Sequence, residues 1–290
     1  MSGQGCKADM GGDGAAVVDT CGYPVETTGN AVLDILEHRS STRAFARDDN
    51  DRPVAVTDEQ RAAILHAASR APSAGAMMMY SIVSIREQAR LDRLADLCDH
   101  QPMIAKAPWA LIFVVDYAKW IDLFEHVGCF EPEFVERTGK SPRRAPGLGD
   151  FAIAAQDAVI AAQNAVVAAE ALGLGSCYIG DVIENAEEVA ALLDLPPYTM
   201  PLSMLIIGTP RKERPAIAHP VVNLVHEERY RRADTATMDA QVAEMDAMFR
   251  PHAREVGERV VDIYTRKHTS PFMAEMSRSM EWWFKNWLGK

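Results

Sequence analysis

Residues 151–172 constrain the fold of this chain more than any other segment, because they form a helix that is apolar on almost every side. Alanine is the strongest helix former and makes up much of the segment, and a helix that is apolar all round is expected to be buried. Its polar side chains recur every seven residues and so share one stripe: Gln156, Gln163 and Glu170, with Asp157 and Asn164 beside them.

A buried stripe of amides and carboxylates needs hydrogen-bond partners. We expect the same helix of a second subunit to supply them, since a two-fold axis places like stripes together. The alternative is an ordinary core helix whose amides are satisfied within their own chain. A membrane-spanning helix is disfavoured, because Asp157, Glu170 and three amides would lie in hydrocarbon.

The size and charge of the chain limit the class of protein that it can be. At 290 residues and 48% hydrophobic content, it can bury a full core as one large domain or two small ones. A formal net charge of −11 argues against nucleic acid or an anionic membrane as a general partner. Five cysteines without C-x-x-C or metal-like spacing indicate free thiols. Residues 1–25 are glycine-rich and lack the apolar run of a signal peptide, so we expect a flexible leader on a cytoplasmic protein.

Four short apolar segments are typical of strands and alternate with helical patterns. Strands are expected at 81–86, 109–116, 177–180 and 200–207, and helices at 30–38, 58–71, 87–98, 185–193 and from 235 onwards. We expect Thr57 and Asn185 to cap helices, and residues 127–150 to be an insertion or lid loop. Few strands among many helices predict an α+β fold with a sheet packed on a central helix.

Several segments carry a family resemblance in their order along the chain. They are AAQNAVVAAEALGLGSCYIGD at 161–181, the R-x-S-x-R-x-F sequence at 39–45, the small-residue loop at 70–76, the strand at 200–210 and VHEERY at 225–230. Over roughly residues 28–232, this order resembles the nitroreductase family, which are homodimeric flavoproteins carrying FMN. The resemblance implies a mixed central sheet packed on a buried central helix in an interlocked homodimer, with the active sites at its interface. It also implies an FMN-binding domain at 26–234 and, at 235–290, the helical extension of the larger flavin-reductase subgroup.

Two basic segments are candidates for binding the flavin. Arg39 and Arg43 surround the hydroxyls of Ser40 and Ser41, and guanidinium groups suit phosphates and carbonyls. The alternative is a solvated basic turn. By resemblance, Arg39 binds the phosphate, and Arg43 lies at the N1/C2-carbonyl edge, where a cation raises the flavin potential. Lys212 and Arg214 resemble the second phosphate contact, although they also fit an exposed charged turn.

Three further segments resemble the family's contacts to the flavin ring. Gln101 matches a flavin-contacting glutamine, and the Gly180–Asp181 backbone would lie near N5, with Tyr178 and Ile179 facing the ring. The flavin loop would contribute Pro72, Ser73, Ala74, Gly75 and Met78. Many members carry Asn where this chain has Ala76, so an amide bond to flavin from that position is in question. The run Met77–Met79 either walls the pocket or fills the core.

The resemblance implies an FMN-dependent NAD(P)H oxidoreductase that passes hydride to and from flavin N5, with a nitroaromatic, quinone or free flavin as acceptor. The protein then needs no catalytic side chain of its own. Gly173-x-Gly175 does not indicate a dinucleotide-binding motif, because it closes a helix and precedes a strand. The alternatives are a specialised reductase of dehalogenase or enoate type, and an FMN-binding protein with little turnover.

The C-terminal segment carries three of the five tryptophans, at Trp282, Trp283 and Trp287. So much aromatic area is rarely left in water, so this end of the chain is expected to dock on apolar surface. It either packs on its own subunit or, as in the larger subgroup, reaches across the dimer. In the second case Arg254 is a candidate to hold the phosphates of the nicotinamide cofactor.

Overall fold

A four-stranded antiparallel sheet packs against one long helix in the computed structural model of the protein, which describes residues 29–140, 144–212, 222–252 and 254–290. The strands are β1 (Tyr80–Ile85), β2 (Trp109–Asp116), β3 (Gly175–Ile179) and β4 (Thr199–Gly208). The helices are α1 (Ala31–His38), α2 (Asp58–Ser69), α3 (Gln88–Leu97), α4 (Pro102–Ala105), α5 (Ala118–His126), α6 (Pro132–Thr138), α7 (Leu148–Ala171), α8 (Ala186–Leu192), α9 (Thr235–Phe249), α10 (Glu258–Ile263) and α11 (Phe272–Trp287).

The strands lie in the order β1-β2-β4-β3, so β1 and β3 form the edges of the sheet. Tyr80 lies opposite Val115 in the β1–β2 pair, and Gly175 lies opposite Gly208 in the β3–β4 pair. The α+β class predicted from the sequence is confirmed. The four strands pair with one another only in antiparallel fashion, whereas a mixed sheet was expected. In the described chain, the one parallel pairing is an isolated bridge between Ser41 and Ser176 of β3.

The long apolar helix α7 is a core element, as its sequence predicts. It packs against α2 and against the sheet, and its alanines at 154, 158, 161, 162, 165 and 169 are buried. Small side chains let the helix approach the sheet closely, which suits close packing of a protein interior. Among the described residues, α7 is the one helix long and apolar enough to cross a membrane, a test that core helices of soluble proteins also pass.

The polar stripe on α7 finds most of its partners within the chain. The Asn164 amide donates to a backbone oxygen of α2 at 3.0 Å, and the Gln163 amide oxygen accepts from the Tyr178 hydroxyl at 3.3 Å. Asp157 is buried and accepts two backbone N–H groups of a nearby loop, whereas Gln156 is exposed. Asn164, Gln163 and Asp157 therefore have partners within their own chain, as the alternative of an ordinary core helix expects. The expectation that a partner helix contacts the stripe stays a prediction.

The C-terminal helix α11 docks on its own subunit. Trp283 and Trp287 are completely buried, and their indole N–H groups donate to the backbone oxygens of Ile183 at 2.8 Å and Gly147 at 3.0 Å. Of the two sequence-based alternatives for the tryptophans, packing on the same subunit is the one observed. Helices α9 and α10 pack against each other, and neither fully buries a side chain.

Two local predictions need correction and one is confirmed. The expected loop at 127–150 contains the helix α6. Asn185 does not cap α8 with its side chain, because its backbone is left-handed (φ 48°) and its amide donates instead to the backbone oxygen of Leu97 at 2.7 Å. The capping box of Thr57 and Gln60 is present at the start of α2.

Candidate functional site

The basic segment after α1 runs along the outer edge of β3. Ser41 forms a parallel bridge with Ser176, and the Thr42 N–H donates to the Ser176 oxygen at 2.8 Å. Ser40 and Thr42 are buried, whereas Ser41 and Arg43 are exposed. The alternation of an extended strand therefore directs Ser41 and Arg43 away from the core.

The same segment then pairs with the chain that follows β4. The Ala46 N–H donates to the Thr209 oxygen at 2.8 Å, and the Arg211 N–H donates to the Ala44 oxygen at 3.0 Å. These bonds bring the start of the second basic segment beside the first. Lys212 is exposed there. Arg214, the other residue expected to bind phosphate, lies outside the described residues.

The charges of the arginines act on two titratable side chains of β3. Burial raises the pKa of the Cys177 thiol, and the charges of Arg43 and Arg39 with a hydrogen bond from Ser41 oppose that rise. Burial likewise raises the pKa of Tyr178 to about 12, again opposed by Arg39. Neither arginine forms an ion pair within the described ranges. The structure thus gathers Arg39, Ser41 and Arg43 into one cationic surface beside β3.

The predicted flavin loop adopts a strained backbone. Gly75, Ala76 and Met78 all have positive φ, at 58°, 56° and 46°. Glycine adopts this conformation freely, but residues with a Cβ do so at a cost and persist there only when their surroundings hold them. Within the run of methionines, Met78 is 43% exposed and Met79 is 3% exposed. Met78 can therefore wall a pocket, whereas Met79 fills the core.

Three side chains hold this loop in place. Asp157 of α7, only 3% exposed, accepts the N–H groups of Ala74 at 3.0 Å and Met79 at 3.3 Å. Ser73 Oγ accepts the Met78 N–H at 3.1 Å, and the indole of Trp120 donates to the Met77 oxygen at 2.9 Å. Asp157 is not among the site residues that the sequence predicts. Its signal was a carboxylate in an otherwise apolar helix, which requires local donors once buried.

The two other predicted ring contacts lie together. The Gln101 amide donates to the Asp181 carboxylate at 2.5 Å, although the residues are 80 positions apart. Gly180 is exposed, and a Cβ added there would meet no atom within 4 Å, so space is open beside its backbone. Ile179 is 1% exposed, so its side chain belongs to the core and does not face a pocket as expected. Tyr178, at 41% exposure, is accessible.

Glu184 adds an unusual carboxyl group three residues after Asp181. It is 3% exposed, and its Oε1 has no hydrogen-bond partner. Burial, together with the charges of Asp181 and Asp99, raises the pKa of Glu184 to about 7. Within the described ranges, no group of His, Cys, Asp and Glu side chains is suited to hold a metal ion. The arrangement as a whole offers cations that form no ion pair within the described part of the chain, an open backbone at Gly180 and a loop fixed by hydrogen bonds. These features suit an anionic organic cofactor.

Comparison with known proteins places these features in context. A family model described as the nitroreductase family matches residues 36–209. The FMN reductase (NAD(P)H) of Bacillus subtilis is 33% identical over 215 residues, covering 73% of this chain and 79% of that protein. The oxygen-insensitive NADPH nitroreductase of Salmonella typhimurium is 32% identical over 218 residues, covering 73% and 81%. The solved NADPH:FMN oxidoreductase of Vibrio harveyi, complexed with NAD⁺, superposes with a TM-score of 0.66 at 25% identity, covering 86% of this chain and 97% of the other.

Proposed function

The chain belongs to the nitroreductase family, and from that membership we propose that it is an FMN-dependent NAD(P)H oxidoreductase. Its acceptor would be a nitroaromatic, a quinone or a free flavin. The observation that carries the proposal is the pairing of the segment that bears Arg39, Ser41 and Arg43 with the edge of β3, within the part of the chain that the family model matches. The relatives named as FMN reductase and NADPH nitroreductase support the same chemistry.

The chain's own residues would bind and orient the flavin. Arg39, with the exposed Ser41 beside it, would hold the phosphate, together with Lys212 and Arg214, whereas the buried Ser40 would support the segment from the core side. Arg43 would place its charge at the N1/C2-carbonyl edge, where it favours the reduced cofactor electrostatically. When bound, FMN supplies a two-electron carrier that accepts hydride at N5 and passes it on, so no catalytic side chain is required.

The remaining contacts would shape the ring site. The loop of Pro72, Ser73, Ala74, Gly75 and Met78 would present backbone and one flexible thioether to the ring. The Gln101–Asp181 pair and the open backbone at Gly180 would border the N5 side. Ile179 would contribute only its backbone to the ring site, because its side chain is buried.

We also propose that the protein is a homodimer, since members of this family are typically dimers that bind a nicotinamide cofactor. Adjacent helices α1 and α7 leave large apolar side chains in water, and burying such a face is favourable. These exposed residues are Val32, Leu33 and Leu36 on α1, and Ile153, Val159 and Ile160 on α7. This face, rather than the amide stripe, is the basis of the proposed interface, and it adjoins the exposed Tyr178 of β3.

The proposed organisation assigns residues 1–25 to a leader, 26–234 to the FMN-binding domain and 235–290 to a helical extension, in a cytoplasmic protein. The hairpin of α9 and α10 would be the part that reaches the second subunit, because α11 is docked on its own chain. Arg254 is exposed next to α10, and its N–H donates to Glu258 at 2.7 Å. It would be available there to contact the nicotinamide cofactor's phosphates.

The test begins with the absorption spectrum of the purified protein, which should show bound oxidised flavin. Oxidation of NADPH and of NADH should then be measured with a quinone, a nitroaromatic and free FMN in turn. A colourless protein that takes up no FMN would contradict the proposal. Bound flavin without turnover would support the alternative of an FMN-binding protein, and turnover of a halogenated or enoate acceptor alone would support a specialised reductase.

A further inference from the structure

A short turn after β3 carries the backbone that the proposed function places beside flavin N5. Asp181–Ile183 form one turn of 3-10 helix, and the Glu184 N–H donates to the Asp181 oxygen at 3.0 Å. We call residues 180–184 the post-β3 turn. The turn lies against β4, α3, α8 and α11. Its position therefore depends on four neighbouring elements as well as on β3.

Helix α11 fixes the end of the post-β3 turn through hydrogen bonds. The indole of Trp283 donates to the Ile183 oxygen at 2.8 Å. The carboxylate of Glu275 accepts the Asn185 N–H at 3.2 Å. The backbone groups on both sides of Glu184 are thus held by α11, and the Glu184 side chain lies between these contacts.

The carboxyl group of Glu184 is buried without a full set of hydrogen-bond partners. The residue is 3% exposed, and its Oε1 accepts no hydrogen bond from the described part of the chain. Burying a carboxylate is costly unless donors or cations compensate its charge, whereas a neutral carboxyl group is buried more easily. The position of Glu184 therefore favours its protonated form as long as the turn stays docked.

The charges around Glu184 also favour the protonated form, because most of them are negative. The charged and ionisable groups around it are Asp181, Asp99, Glu275 and Lys267, together with the Cys98 thiol and the Arg278–Glu187 ion pair. Strand β4 contributes no ionisable side chain. Burial and the three carboxylates raise the pKa of Glu184 to about 7, and Lys267 opposes them. The carboxyl group therefore changes its charge close to neutral pH.

We propose that Glu184 is a positioning residue for the flavin site, and that loss of its proton loosens the docking of the post-β3 turn. Ionised Glu184 would repel the carboxylate of Asp181, whose hydrogen bond with Gln101 fixes the start of the turn. It would also draw water towards the unpartnered Oε1. A loosened turn no longer holds the Gly180 backbone in place for the cofactor. The effect on FMN rests on the proposed function, but the effect on the turn does not.

The turn is tested first in the full-length protein without FMN. Hydrogen exchange of residues 180–187 is measured at pH 6 and pH 8 in the wild type and in Glu184→Gln, which keeps a neutral side chain. Protection in the wild type, relative to this variant, should fall roughly tenfold from pH 6 to pH 8, because docked and loosened forms differ by one proton. Glu136→Gln, at an exposed carboxylate of α6, is the matched control and should behave as the wild type does.

Asp99→Asn is a second variant, and it leaves Glu184 in place. Asp99 is exposed and has a φ of 53°, a conformation that asparagine adopts more readily than most residues. Removing its negative charge lowers the pKa of Glu184, so protection should begin to fall at a lower pH than in the wild type. This comparison decides the question even if Glu184→Gln does not fold.

The link to the cofactor is tested by fluorescence titration with FMN at the same two pH values. Relative to Glu184→Gln, the wild type should bind FMN up to about tenfold more weakly at pH 8 than at pH 6, because only molecules with a docked turn are competent to bind. The FMN phosphate also titrates in this range. Comparing the two proteins removes its contribution, since both bind the same ligand.

The outcomes separate this proposal from the proposed function. The proposal is overturned if protection depends on pH equally in the wild type and Glu184→Gln and if Asp99→Asn behaves as the wild type does. It is also overturned if protection changes as expected while FMN affinity does not, since Glu184 would then support the turn without positioning the flavin. If neither protein binds FMN, the proposed function fails, and the exchange result alone supports or overturns control of the turn by Glu184.

Discussion

Replacement of Asp157 by asparagine should loosen the flavin loop and weaken FMN binding together. The carboxylate is 3% exposed and accepts the N–H groups of Ala74 and Met79, at 3.0 and 3.3 Å. Asparagine keeps the shape but has one acceptor oxygen, so its NH₂ group would face one of the two N–H donors. One charge-assisted hydrogen bond is then lost, which costs about 1.5–3 kcal/mol of the free energy of unfolding.

The effect on FMN follows from the strain in the loop. Ala76 and Met78 hold positive φ values of 56° and 46°, and each such residue costs on the order of 1–3 kcal/mol. Without one of the bonds that oppose this strain, the loop should relax to other conformations. FMN binding would then have to restore the strained form, and an extra cost of about 1.4 kcal/mol corresponds to tenfold weaker affinity.

Two measurements check this prediction, urea unfolding of the FMN-free protein and fluorescence titration with FMN. Asp96→Asn is the matched control, because Asp96 is an exposed carboxylate on α3. The reasoning is refuted if Asp157→Asn changes neither the unfolding midpoint nor the FMN affinity more than this control does. A loss of stability with unchanged FMN affinity would mean that Asp157 supports the core and does not position the loop.

Three other changes test separate parts of the account. Arg39→Ala should weaken the binding of FMN by about 1.5–3 kcal/mol and that of riboflavin much less, and equal effects on both ligands would contradict the phosphate role. Arg43→Ala should chiefly lower the midpoint potential of the bound flavin, and an unchanged potential would contradict its role at the ring. Because the pKa of Glu184 is raised from 4.5 to about 7, the wild type should lose stability as pH rises through that window, and Glu184→Gln should flatten the profile in urea unfolding. Ile160→Asp should convert a dimer to a monomer without FMN in analytical ultracentrifugation, and a monomer that retains FMN would count against an interface site.

Much of the fold follows from patterns that are local in the sequence. Helix α7 and strand β2 could be predicted because each is a continuous run of apolar residues in the sequence. The capping box could be predicted because Thr57 and Gln60 are only three residues apart. The observed ends of helices and strands differ from the predicted ends by a few residues, because they depend on how the terminal backbone groups find hydrogen-bond partners. The prediction that Asn185 caps α8 is wrong because its side-chain amide donates to the backbone oxygen of Leu97, a tertiary contact that competes with capping.

The sequence predicts which residues belong to the site, and that membership stays a prediction, whereas the hydrogen bonds that connect these residues could not be predicted. The order of the basic segment and the small-residue loop along the chain is enough to indicate a flavin. The pairing of Gln101 with Asp181 and of Asp157 with Ala74 joins residues about 80 positions apart, and no local pattern encodes such pairs. Lys106, after α4, and Arg211, after β4, likewise line one pocket although they are far apart in the sequence.

The bridge between Ser41 and Ser176 has a consequence for the behaviour of the protein before it acquires its cofactor. β3 is an edge strand, and an uncovered edge offers free N–H and C=O groups on which another chain can add a strand and begin to aggregate. The segment bearing Arg39 and Arg43 covers that edge at Ser176. A ligand that fastens the segment would thus also keep the edge closed to self-association. Riboflavin-starved cells should accordingly accumulate this chain in inclusion bodies, while cells replete in the vitamin keep it in solution.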